Sequence, residues 1–131
     1  WWQFHQATVT AAYVLLLLPL WQARHMAGAG VGISIFLLAL VAVVVAGALR
    51  LHIWFAMRHY PDQWLEQHTQ ARRWIRASDV TFAALLLVQG VIAAETDAAS
   101  APLLVAASAS VAVTFLMVEP ATTRAALGRG R

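Results

Sequence analysis

The segment VGISIFLLALVAVVVAGALRLHIWFAM (residues 31–57) holds no charged side chain until Arg50. A helix that crosses a bilayer needs about 20 mostly apolar residues, within a range of about 17–25. This segment has that length with residues to spare, so it reads as a membrane helix with an arginine near one end. Three more apolar stretches flank it, at about 4–22, 78–95 and 102–119. They are shorter, and each reaches spanning length by taking in its interfacial residues.

Composition supports the bilayer as solvent. The chain has 131 residues, 61% of them hydrophobic and 11% charged, against about 25% charged in an ordinary soluble domain. A soluble fold of this size has too little interior to hide that much apolar surface. Without cysteine, the chain has no thiol, disulfide or iron–sulfur chemistry.

The segment boundaries carry helix punctuation. Pro19 falls in the last turn of the first stretch, and AGAGVG (27–32) is a small-residue turn before the second. Pro61 closes the second, Ser78 or Asp79 can cap the third unless that helix runs on continuously from the preceding loop, and Pro102 fits the first turn of the fourth. The expected fold is all-α and integral to the membrane. It is an up-down bundle of four transmembrane helices forming one domain over 1–131. Between the second and third, at about 62–75, Trp64, Leu65, His68, Ala71 and Ile75 recur at three- and four-residue steps. That spacing predicts a short amphipathic helix lying on anionic lipid.

Arginine distribution sets the expected topology. Four alternating spans place Arg50, Arg58, Arg72, Arg73, Arg76, Arg124, Arg129 and Arg131 on one side and Arg24 on the other. The positive-inside rule then puts both termini in the cytoplasm, in a bacterial inner membrane. Trp54, Trp64 and Trp74 fall at the same interface, where an indole ring meets hydrocarbon and its N–H meets water. These arginines flank apolar segments, so they read as topology signals and lipid contacts, and no nucleic-acid partner is expected.

Arg50 lies about 10 Å inside the end of its helix at 1.5 Å per residue. Asp79 opens the third helix and Glu119 closes the fourth at comparable depth. One layer is therefore expected to gather His5, Arg50, His52, Asp79 and Glu119. A charge there is costly unless paired or snorkelled, so Arg50 pairs with Asp79 or Glu119, or reaches to headgroups. The other half of the bundle offers Tyr13, Gln89, Ser34, Ser108 and Ser110 but no acid, which argues against a proton path. No metal site is expected, because His59, Glu66 and His68 lack compact ligand spacing. Small residues at 106–113 (AASASVAV), with Gly47 and Gly90, allow another helix to come close.

Two resemblances bear on function. Ala48-Leu-Arg-Leu-His52 resembles the pigment-binding step of light-harvesting polypeptides, where a small residue leaves room for a chlorin ring one turn from its histidine ligand. That resemblance implies His52 as a bacteriochlorophyll ligand, and a haem version would pair it with His5. The charged Arg50 departs from the apolar surroundings of that step. WWQFHQ (1–6), LRLHIWF (49–55) and VEPATTRAA (118–126) together resemble the C-terminal multi-helix membrane region of some bacterial serine/threonine protein kinases. That resemblance spans nearly the whole chain and implies a membrane anchor. The chain has no glycine-rich nucleotide loop, no H-R-D and no D-F-G, so it is not expected to be a kinase or any other enzyme.

The expected function is a non-catalytic multi-pass subunit that packs into a larger membrane complex, of which a photosynthetic reaction-centre or antenna assembly is one candidate. Its expected partners are membrane lipids and other transmembrane subunits. The chain alone is expected to bind no cofactor, while neighbours supply bacteriochlorophyll, carotenoid or haem. The alternatives are a tetrapyrrole-binding protein using His52 and the anchor of a signalling kinase.

Overall fold

The computed structural model describes residues 2–59, 64–97 and 99–118. These contain four α-helices and no strand: α1 (Trp2–Ala23), α2 (Ala29–His59), α3 (Trp64–Thr96) and α4 (Ser100–Val113). A 3-10 turn, Arg24–Ala27, joins α1 to α2, and α4 runs on as a π-helical turn, Thr114–Val118. Three helices are long and apolar enough to cross a membrane, over Phe4–Ala27, Gly30–Ala56 and Ala71–Thr96. The fourth apolar stretch, Ser100–Leu116, is shorter.

The bounds of α1 and α2 lie close to those expected, but α3 differs. Instead of an interfacial helix followed by a separate span, one helix of 33 residues runs from Trp64 to Thr96. From Trp64 to Val88 it contains neither proline nor glycine, so no residue breaks it. Asp79, the expected cap, lies inside it and spends its carboxylate on another helix. At 1.5 Å per residue α3 is about 50 Å long, longer than a hydrocarbon layer of about 30 Å requires.

Packing follows from a repeated stripe. In α1 the inward residues are Gln6, Val9, Tyr13, Leu20 and Ala23; in α2 they include Ile35, Ala39, Ala42, Val43, Ala46 and Arg50. In both sets each residue has another three, four or seven positions away, so each set keeps to one helical face. α3 is central, packing on α2 along one side and α4 along the other, while α1 leans mainly on α2. Phe82, Leu86 and Leu104 are fully buried between them. The outer surface carries Leu15, Leu18, Leu37, Leu38, Val41, Leu51, Leu87 and Leu103, all exposed. A soluble monomer rarely shows so large a contiguous apolar surface.

Two glycines set helix approach. A Cβ on Gly32 would collide with the carbonyl group of Arg24, so only glycine lets the 3-10 turn fold back on α2. On Gly90 it would come 3.0 Å from Val105 and 3.2 Å from Leu104, which brings α4 close to α3. There the hydroxyl of Ser108 donates to the carbonyl of Ala83 at 2.8 Å. Within 106–113, Ala107, Ser108 and Val111 are therefore used inside the chain.

Candidate functional site: a buried ion pair beside a lateral groove

Arg50 and Asp79 meet across α2 and α3. Nη2 of Arg50 donates to both carboxylate oxygens, at 2.9 Å to Oδ1 and 2.8 Å to Oδ2. The side chains are 4% and 0% exposed. Burial follows from register. Arg50 continues the α2 stripe of Ala39, Val43 and Ala46, and Asp79 continues the α3 stripe of Ile75, Phe82 and Leu86. The distance from Arg50 to Ala56, where the apolar span ends, is about 9 Å along the helix. At that depth an unpaired charge is strongly disfavoured, and pairing lowers the cost.

Tyr13 completes the layer. The Arg50 guanidinium carbon stands 5.2 Å from the centre of its ring, within cation–π range. The same ring packs on Phe82 at 5.0 Å between centroids. Only Nη2 of the guanidinium is used: Nε and Nη1 of Arg50 are buried without a hydrogen-bond partner, and so is the Tyr13 hydroxyl. His5 is half-buried and within electrostatic reach of Arg50.

The expected layer is thus present in part. Arg50, Asp79 and His5 come together there. Tyr13 also belongs to it, although its mid-helix position suggested the opposite half. Spacing could have found it, because Gln6, Val9 and Tyr13 are separated by three and four residues. His52 does not join. Two residues along a helix is about 200° of rotation, which turns His52 nearly opposite to Arg50, and it is exposed. Glu119 lies outside the described residues. Trp54 is half-buried, Trp74 exposed, Arg72 half-buried, and Arg73 and Arg76 exposed, all at the same end of the bundle. Trp64 starts α3, and its side chain is outside the description.

At the far end a second polar residue ties helices together. Gln89 is fully buried, and its Nε2 donates to the carbonyl of Ala23 at 2.6 Å. This satisfies one of the carbonyls that a helix C-terminus leaves unpaired. Beside it, Arg24 stacks 3.6 Å from the centre of the Trp21 ring and donates to the Trp21 carbonyl at 2.7 Å.

Between α1 and α2, at the Arg50 end, a lateral groove of about 550 Å³ opens outward. Its wall is almost entirely apolar, with Arg50 and Gln6 among the few polar residues that line it. The groove is large enough to hold a small molecule. No protein family, curated protein or solved structure matches this chain. Among the described residues, the fold and site define a helical bundle with an apolar exterior, clasped internally by the buried Arg50–Asp79 ion pair.

Proposed function

We propose that the chain is a non-catalytic multi-pass subunit of a bacterial inner membrane, crossing four times with both termini cytoplasmic, that packs into and stabilises a larger membrane complex. The observation that carries this reading is the apolar exterior of three span-length helices surrounding an internally paired Arg50–Asp79. The polar cost is met within the chain, and the outer surface is left for lipid and neighbouring helices. α4 makes the fourth crossing by extending through its π turn. The kinase resemblance supports the same role in the form of an anchor, with the membrane module holding a signalling domain at the cytoplasmic face.

One observation favours the tetrapyrrole alternative. Ala48 and His52 are both exposed on the outward side of α2, where a ring held by a neighbour, or by His52 itself, has room. A photosynthetic host would supply such a ring. Extraction in a gentle detergent, followed by identification of co-purifying chains and an absorption spectrum, tests both. The subunit reading expects transmembrane partners, and expects His52→Leu to leave assembly and the spectrum per complex unchanged. Loss of one pigment's absorbance, with the polypeptide still present, would make His52 a ligand instead.

A further inference from the structure

The arginines divide into two kinds. Arg24 and Arg50 spend their guanidinium groups inside the chain, the first on the ring and carbonyl of Trp21 and the second on Asp79. Arg73 and Arg76 are exposed, and neither has a hydrogen-bond or ion-pair partner among the described residues. Asp79, three residues beyond Arg76, is already neutralised by Arg50. Arg72, half-buried one turn before Arg76, adds a third positive charge to the same end of α3.

The helix continues that charge into an apolar track. With 3.6 residues per turn, Arg73, Arg76, Val80, Ala84 and Leu87 fall within an arc of about 80°. All five are exposed, while Ile75, Phe82 and Leu86 form the buried stripe on the other side of the helix. The open face of α3 is therefore cationic at one end and apolar below it. From Arg76 to Leu87 is about 16 Å along the helix, close to half of a hydrocarbon layer of about 30 Å, the depth that one leaflet contributes.

Depth and charge select the partner. Arg73 and Arg76 lie in the first two turns of the apolar span Ala71–Thr96. Trp74, exposed between them, suits the level where headgroup meets acyl chain. An acidic protein segment would have to shed its water to follow the arginines to that depth. A phospholipid carries its charge there already, with its chains below. Guanidinium groups bind phosphate oxygens through charge-assisted hydrogen bonds, about twice as strong as neutral ones. A headgroup that also carries an ammonium offsets that gain, because its positive charge meets the same arginines.

We propose that this face of α3 holds one anionic phospholipid, its phosphodiester bridging Arg73 and Arg76 and an acyl chain lying on Val80, Ala84 and Leu87. The site rests on the membrane reading above and adds to it a lipid class at a defined place.

The test is native mass spectrometry of the delipidated chain in detergent. It is titrated with phosphatidylglycerol, with phosphatidylcholine and with glycerophosphoglycerol, which has the same diester without acyl chains. The expected result is a single phosphatidylglycerol held on the order of tenfold more tightly than phosphatidylcholine, equivalent to about 1.4 kcal/mol, and not displaced by the soluble diester at millimolar concentration. Arg73→Gln combined with Arg76→Gln should abolish that preference. Arg129→Gln combined with Arg131→Gln removes the same charge from the end of the sequence and should keep it. Melting curves establish which variants remain folded. Equal retention of the two lipids would overturn the proposal, and so would equal loss of preference in the two double variants, which would make net charge the cause. Displacement by the soluble diester would reassign the cluster to free phosphate compounds, and displacement by a polyglutamate peptide would reassign it to an acidic protein segment; either overturns the lipid site. If the Arg73 and Arg76 double variant does not fold, Arg76→Gln alone decides: a loss of preference of about threefold or more supports the site, and its persistence overturns it. Release of the chain from membranes by alkaline carbonate would instead refute the membrane reading itself.

Discussion

Arg50 and Asp79 illustrate how a charge can sit in an apolar bundle. Removing one member of a buried pair leaves the other uncompensated, at a cost of about 3–5 kcal/mol. Asp79→Ala and Arg50→Ala should each destabilise by about that much in unfolding titrations in detergent. Replacing both with leucine should cost less than either single change, because no orphan charge remains and apolar pairs substitute well for buried ion pairs. Additive losses would mean that the two residues are not coupled. At Gly32, alanine would drive a Cβ into the Arg24 backbone. Gly32→Ala should therefore lower stability by at least about 1–3 kcal/mol. Gly30→Ala, with nothing within 4 Å of the added Cβ, should be neutral or stabilise by up to about 1 kcal/mol through helix propensity. The paired melts separate these outcomes. The Arg50–Asp79 contact was legible in the sequence as one of two possible pairs, because depth and opposite charge suffice to propose it. The sequence places Tyr13 with the polar groups of the other half, whereas the packing of α1, set by tertiary contacts, brings its ring beside Arg50 and Phe82.

Among the elements, α1 and α2 were the most legible, since a long uncharged run between small-residue turns has few other solutions. α3 was harder. Its first turns are polar and amphipathic and its later ones apolar, and that change of composition looks like a boundary. Backbone hydrogen bonding does not follow composition, and without glycine or proline the helix continues through it. The connection from α3 to α4 has its own device. Asp97 Oδ1 accepts from the Ala99 backbone N–H at 3.0 Å, and this bond holds the Asp97 carboxyl below the ordinary carboxylate value. A depressed carboxyl favours the folded connection when ionised. That contribution is present at neutral pH and above, and is lost as pH falls through the lowered folded-state value. Amide exchange at Ala99 should therefore speed up, relative to the interior of α3, as the medium is made acidic, and Asp97→Asn should weaken that pH dependence. An unchanged profile in the variant would assign it to another group.

For the whole molecule, the apolar exterior is what composition announces most plainly. Spans of 24, 27 and 26 residues give helices of about 36–40 Å, more than the 30 Å hydrocarbon layer requires. Their arrangement beside a shorter α4 makes the number and direction of crossings the central claim. The proposed direction rests on the arginines: with four crossings all but Arg24 gather at one side, the side that the positive-inside rule assigns to the cytoplasm. Asp97 lies in the α3–α4 connection, and Arg129 lies near the C-terminus of the sequence. The native chain has no cysteine, so single cysteines can be introduced without background. The most direct measurement is labelling of intact cells by a membrane-impermeant thiol reagent, with Asp97→Cys and Arg129→Cys tested separately. Four crossings with cytoplasmic termini predict that the cysteine at 97 is modified and the one at 129 is protected until the cells are lysed. Modification at 129 with protection at 97, or the same outcome at both, would contradict the account.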